Sequence, residues 1–335
     1  MKKSVFAAVL ASALMAGMFT TTAFAAESEP VTLIWSNAAG TNEWWSQAQR
    51  EFASKVEEIS DGNITVECYD SGTLYDQDSE VAALANGDID IALPNAFYLT
   101  EGSPWISMFG AGYIFDDYDH MHEVMTGEIG QEVFAKVAEE QGILPLACWY
   151  QGARCISLSY DKELTSPEDL DGVNLRMPGT DAFMFLGKAL GASPTPVNYS
   201  DLYTALQTGV VDGQDNPLPS LINAKFYEVQ KSVTVTKHYI GNCWPTINLA
   251  KWNSLTEEQQ GWIMEALEYA TEFNDNGVLT DEETIKDTLR EEGLSVYEID
   301  TTAFSEHVLA YYLDDEEYTK DWDMDLFNEI RAMAE

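Results

Sequence analysis

Basic side chains are scarce in this 335-residue sequence, with 17 lysines and arginines against 57 aspartates and glutamates and a formal net charge of −40. A surface of that sign repels phosphate backbones and anionic lipid, which excludes nucleic acid and the membrane surface as partners. It repels small anions as well, but salt screens that repulsion beyond ~8–10 Å. Any anion site here must rest on a few well-placed local arginines. Long apolar runs are missing too. After residue 25 nothing approaches the roughly 20 apolar residues that span a bilayer, so no membrane insertion is expected. Cysteines number four: Cys68, Cys148, Cys155 and Cys243. They are not in the close pairs that zinc requires. Cys148 and Cys155 flank Tyr150-Gln151-Gly152-Ala153, read as a turn between two strands. The two thiols are expected to be close, and a disulfide and free buried thiols both stay open.

Reactive signatures are absent as well. There is no G-x-S-x-G elbow and no G-x-x-x-x-G-K-[ST] phosphate loop. His120 and His122 sit two apart on an expected helix, where their rings diverge. No metal and no cofactor is expected. Carboxylate pairs arise by chance in so acidic a chain, so none of them signals catalysis. The reading is of a protein that is not an enzyme, with a secreted glycoside hydrolase as the strongest enzymatic alternative.

What is present begins with a leader. Lys2 and Lys3 precede an apolar stretch, Val5 to Phe19, and Ala23-Phe24-Ala25 supplies small residues at a cleavage site. This is the layout of a secretory signal peptide over 1–25. No cysteine follows it to carry a lipid. The expected location is periplasmic.

The rest alternates strands and helices. Val31 to Ser36 reads as a strand, followed by a helix capped by Thr41 or Asn42 that runs to about Ser60. Its apolar stripe is Trp44, Ala48, Phe52, Val56 and Ile59. Strands are expected at Ile64–Cys68, Ile89–Leu93, Ile143–Tyr150 and Val173–Met177. Helices are expected at Val81–Asn86, Met121–Gln141, Asp181–Leu190 and Asp201–Thr208. Thr256 caps a long helical stretch, Glu257 to Glu292, which would reach ~54 Å unless Asn274-Asp275-Asn276-Gly277 breaks it. Strand–helix alternation of this kind argues for an α/β fold. One motif recurs. Ala83-Leu84-Ala85-Asn86-Gly87-Asp88-Ile89-Asp90 and Ala205-Leu206-Gln207-Thr208-Gly209-Val210-Val211-Asp212 both read A-L-x-x-G-x-x-D, and Asn95 and Asn216 follow soon after. Two lobes of similar build would present such strand ends to a shared cleft.

The most informative stretch runs from Ser166 to Pro217. It contains SPEDLDGVNLRMP and then ALGASPTPVNYSDLYTALQTGVVDGQDNP. Together with Ser36 to Glu43, YQGAR at 150–154 and KFYEVQK at 225–231, it closely resembles the solute-binding proteins of TRAP transporters, the DctP-like family. The resemblance implies an α/β, two-lobed periplasmic-binding-protein fold with mixed sheets flanked by helices, a hinge cleft, and a long helix bracing both lobes. It implies a first lobe of about 26–152 with 242–281, and a second of 153–241 with 282–335. It implies a monomer that captures a small organic acid anion and delivers it to the small and large membrane subunits of such a transporter. A protein that presents its ligand to a sensor is the other non-enzymatic alternative.

Site residues follow from the same resemblance. Arg176 matches the arginine that grips the ligand carboxylate with two prongs, and Arg154 a second that assists. Asn216 matches a ligand-binding asparagine and Tyr199 an aromatic residue that packs on the ligand. Asn37 and Asn95 match cleft residues of the other lobe. Chemistry points to Arg176 independently, because a planar, always-charged guanidinium fits a carboxylate and Arg176 stands in an apolar strand of a chain poor in basic residues. Trp35, Trp44, Trp149 and Trp244 fall near strand or turn ends and are candidates to line the cleft; Trp149 is retained among the site residues. Gly179 and Asn95 depart from the asparagine and glutamate of sialic-acid-binding members, which argues against that ligand. A sugar acid such as a uronate is the leading expectation, and a C4-dicarboxylate the alternative.

Overall fold

The computed structural model describes residues 29–334. The expected signal peptide and its cleavage after Ala25 lie outside the described residues. Eleven strands are present among the described residues: β1 (Val31–Ser36), β2 (Ile64–Tyr69), β3 (Ile91–Ala92), β4 (Ile143–Pro145), β5 (Trp149–Leu158), β6 (Asn174–Met177), β7 (Ser193–Pro196), β8 (Gly213–Pro217), β9 (Ser232–Cys243), β10 (Thr246–Asn248) and β11 (Ser295–Glu298). They form two mixed sheets, in the orders β2-β1-β3-β10-β4 and β11-β9-β5-β8-β6-β7. The helices are α1 (Trp44–Ile59), α2 (Gln77–Asn86), α3 (Tyr118–Thr126), α4 (Glu128–Gln141), α5 (Asp181–Ala189), α6 (Leu202–Thr208), α7 (Leu218–Asn223), α8 (Leu249–Ser254), α9 (Glu257–Glu291), α10 (Thr302–Leu313) and α11 (Met324–Ala332). This is the two-lobed α/β architecture expected from the sequence.

The repeated motif folds the same way twice. Gly87 and Gly209 end α2 and α6 with φ of 79° and 71°, the left-handed cap that glycine adopts at least cost. Each motif's last aspartate then bonds a neighbouring strand. Asp90 accepts from the Ile34 backbone N–H and donates its own N–H to the Ile34 carbonyl. Asp212 does the same with Asn174. In each lobe this clamp delivers the chain to the cleft, at Asn95 and Asn216.

Three elements reach from the core of one lobe to that of the other: β5 and β9, both strands of the second sheet, and α9. Helix α9 is continuous over 35 residues; the Asn274–Gly277 stretch does not break it. Asn274 and Asp275 instead face β5, with Asn274 Nδ2 donating to the Tyr150 carbonyl at 2.7 Å and Asp275 accepting from the Tyr150 N–H at 2.9 Å. Ile263, Ala266, Leu267 and Ala270 of α9 belong to the core of the first sheet, whereas Ile285 and Leu289 belong to a core on the second. The helix therefore braces both lobes. The last helix, α11, lies in the stretch 282–335 that the family resemblance groups with the second lobe, and it bonds the chain in and just before α3. His120 Nε2 pairs with the Ile330 carbonyl, and Arg331 donates to the Tyr113 carbonyl.

Several local expectations are corrected. The turn proposed at Tyr150–Ala153 is strand, in the first half of β5, where the pairing with β9 shifts register around Gly152 at a φ of +104°. Cys148 and Cys155 are thus seven residues apart along nearly extended chain, ~23 Å at about 3.3 Å per residue. They are not neighbours, and all four thiols are free. The helix expected over Met121–Gln141 is two helices, α3 and α4, parted at Gly127. A Cβ at Gly130 would stand 1.9 Å from the Met125 carbonyl oxygen, so close packing at this joint explains both glycines. The cap of α1 is Glu43, not Thr41 or Asn42. His120 and His122 have separate partners, the Ile330 carbonyl and the Tyr118 hydroxyl. Among the described residues no His/Cys/Asp/Glu group is arranged to hold a metal, and no helix is long and apolar enough to cross a membrane.

Candidate functional site

A cavity lies between the lobes, about 730 Å³ with its mouth included, and six of the seven residues singled out from sequence line it: Asn37, Asn95, Arg154, Arg176, Tyr199 and Asn216. Trp149 does not. It is fully buried in the first lobe's core, packed against Trp35, with its indole N–H donated to Thr271 Oγ1 at 2.7 Å. An aromatic at a strand end is as well placed for a core as for a cleft, and here the core holds it.

The two arginines occupy different electrostatic situations. Arg154, on β5, brings its own counter-ion: Nε meets Asp215 Oδ2 at 2.7 Å and Nη2 meets Oδ1 at 3.0 Å. His238 Nε2 approaches the same Asp215 Oδ2 at 3.4 Å. Burial opposes ionisation of Asp215, but the Arg154 guanidinium and the His238 bond outweigh it and hold the carboxyl well below the usual range. Asp215 and His238 were not anticipated from the sequence. The pairing of Arg154 with Asp215 spans 61 residues and leaves no local trace.

Arg176, on β6, has no such partner. It is 1% exposed, donates Nε to the Val197 carbonyl at 2.8 Å, and forms no ion pair among the described residues. Its Nη2 is buried without any hydrogen bond. Burial pulls its pKa down to about 10, more than nearby Asp215 and Tyr98 restore. A desolvated, unpaired guanidinium costs several kcal/mol, and a ligand carboxylate would relieve that cost.

The remaining polar residues divide into those already engaged and those still open. Asn37 spends its whole amide on the β1–α1 turn, accepting from the Ala39 N–H and donating to Ser46 and Gln49; it shapes the wall. Asn95 Oδ1 caps the next helical turn through the Phe97 N–H, which leaves its NH₂ group. Asn216 donates to Gln214 Oε1, which leaves its carbonyl oxygen. Tyr199 donates its hydroxyl across the cleft to Glu43 Oε1 at 2.6 Å. Ser220 and Asn223, also of the second lobe, reach Glu43 Oε2. Burial raises the Glu43 pKa to about 7 despite these three donors. Glu80 and Gln77 have nothing in their surroundings along the chain that distinguishes them from surface polar residues, and Glu43 and Gln151 lie in stretches that carry the family resemblance without any local sign of their own role.

The family model of DctP, bacterial extracellular solute-binding protein family 7, matches residues 35–318. The chain belongs to this family. A solved TRAP periplasmic solute-binding protein of Roseobacter denitrificans, with bound 3-deoxy-D-manno-oct-2-ulosonic acid, is 37% identical with a TM-score of 0.87, over 91% of this chain and 100% of that one. A second from Roseobacter denitrificans, with bound L-galactonate, is 28% identical with a TM-score of 0.82, over 92% and 99%. The C4-dicarboxylate-binding periplasmic protein of Rhodobacter capsulatus is 31% identical over 76% of each chain. The DctP-family cleft described above is thus shared in fold with proteins holding sugar acids and with one named for dicarboxylates.

Proposed function

We propose that this DctP-family protein captures a sugar-acid anion in the periplasm and hands it, as a monomer, to the small and large membrane subunits of a TRAP-type secondary transporter. Export would follow from the leader and its cleavage after Ala25. Arg176 is the carboxylate anchor, and the observation that carries this is its buried guanidinium, which lines the cavity unpaired while Arg154 beside it already holds Asp215. Arg154, already paired with Asp215, then forms a fixed part of the wall, its guanidinium over the Phe183 ring at 5.3 Å. Asn95 and Asn216 offer a donor and an acceptor to hydroxyl groups, and Tyr199 packs against the ligand. Support also comes from the relatives of the previous section. The Rhodobacter capsulatus relative favours a C4-dicarboxylate as the second reading.

Removing one member of a buried, hydrogen-bonded charge pair costs roughly 2–5 kcal/mol, ~30- to several-thousand-fold in affinity. Calorimetry with L-galactonate, D-glucuronate and succinate should show that loss for Arg176→Ala. It should also show it for Arg176→Lys, since a point charge does not reproduce the fork. Binding by Arg176→Ala within about threefold of the unaltered protein would place the anchor elsewhere.

A further inference from the structure

We propose, resting on the reading that this cleft takes a carboxylate, that Glu80 selects among carboxylates: it receives a hydroxyl group of a polyhydroxylated monocarboxylate and disfavours dicarboxylates. Glu80 stands on α2 of the first lobe and Arg176 on β6 of the second, and both line the same cavity. Glu80 is 5% exposed, and its Oε1 is buried with no hydrogen-bond partner. Among the described residues it forms no ion pair, with Arg176 or with any other cation. Two groups of opposite character thus face one cavity without satisfying each other. A ligand that satisfies both must carry a carboxylate for Arg176 and a different polar group for Glu80.

Charge counting identifies that second group. Arg154 is neutralised by Asp215, so Arg176 is the one uncompensated cation among the cavity's described residues, and one carboxylate balances it. A second ligand carboxylate beside Glu80 would put two acid groups in one desolvated place, where they cannot both ionise. A hydroxyl group meets no such conflict, because it both donates and accepts. Neighbouring groups have the same neutral, two-way character. Gln77 and Gln151 line the cavity, and neither amide makes a hydrogen bond to a described residue. Burial, opposed by Ser36 and reinforced by Asp76, raises the Glu80 pKa to about 8, which agrees with a group that exchanges hydrogen bonds and not charge.

The test is the ratio of affinities for a sugar acid and for succinate. Calorimetry at pH 7 with L-galactonate, D-glucuronate and succinate would be run on the unaltered protein, on Glu80→Met and on Glu80→Ala. The unaltered protein should bind at least one of the sugar acids at least tenfold more tightly than succinate. Both variants should reduce that ratio at least tenfold, chiefly by losing the sugar acid. Glu80→Met removes a buried carboxyl whose Oε1 has no partner, so its melting temperature without ligand should not fall, and Glu80→Ala provides the same readout with the wall opened. A ratio changed by less than threefold in both variants, or an unaltered protein that prefers succinate, would overturn the role of Glu80. If Arg176→Ala meanwhile still abolished binding, the carboxylate reading would stand. Failure of all three acids to bind the unaltered protein would overturn both.

Discussion

Arg154 and Arg176 show how one residue type takes two roles through its surroundings. Both are buried, both line the cavity, and they differ in whether the protein supplies a counter-ion. Their stability effects should therefore differ in sign. Arg154→Met would leave the Asp215 carboxylate buried with only His238 to face it, and breaking a buried pair this way costs about 3–5 kcal/mol. Arg176→Met removes a charge that the ligand-free protein does not neutralise, so urea unfolding without ligand should find it as stable as the unaltered protein, or more so. A loss of several kcal/mol in Arg176→Met would mean that an internal acceptor, not a ligand, satisfies this guanidinium.

At the scale of elements, α9 does two jobs along its length. Its first half closes the core of the first lobe, and its middle grips β5 through Asn274, Asp275 and Glu282, the last accepting from the Ala153 N–H and the Tyr150 hydroxyl. Gly277 lets the indole of Trp44 lie against the helix, since a Cβ there would stand 2.3 Å from the ring. That ring is held by its own bond to Asp281 at 2.6 Å and has little freedom to give way. Gly→Ala inside a helix gains about 1 kcal/mol in propensity, whereas overpacking costs typically 1–3 kcal/mol. Gly277→Ala should lose stability on balance. Gly261, on the same helix with nothing near its Cβ position, provides the control: Gly261→Ala should gain up to ~1 kcal/mol. Denaturant midpoints measure both, and equal shifts of one sign would remove the Trp44 contact from this account.

The whole molecule carries its acidic excess into its interior at a few places, and these give its stability a pH dependence. Burial raises Glu43 to about 7 and Glu80 to about 8 from the ordinary 4.5. It raises Asp275 and Glu282 of α9 as well. A group whose folded pKa is raised contributes its stability below the unfolded pKa and loses it as pH climbs to the folded one. From about pH 4.5 to about 8, the unfolded chain sheds protons that the folded chain still holds, so stability should fall across that window. Asp215 is shifted the other way and acts only below its ordinary 3.8; His238, which burial holds below its ordinary 6.5, works against the trend in the lower part of the window and is outnumbered by the four carboxyls. Urea midpoints should be lower at pH 8 than at pH 5, and the double variant Glu43→Gln, Glu80→Gln should flatten the difference. A midpoint that rises over this range would contradict the burial of these carboxyls. Glu43 matters further, because its acceptors for Tyr199, Ser220 and Asn223 join the two lobes across the cleft.

The sequence by itself determined what depends on neighbours along the chain. The α/β order, the glycine stops after α2 and α6, the length of α9, the recurring A-L-x-x-G-x-x-D unit and the LRMP setting of Arg176 are local patterns of period, cap and motif. Tertiary structure decided everything that turns on who meets whom. Trp149 became core because Trp35 and Thr271 close around it. Cys148 and Cys155 stand apart because a proposed turn is continuous strand within β5 of the second sheet. Arg154 is neutralised by an aspartate far along the chain, Arg176 is left unpaired, and Glu43 and Glu80 lie in the interior. Desolvation and pairing depend on the atoms that surround a charge in space, and distant segments supply those atoms only when the lobes come together.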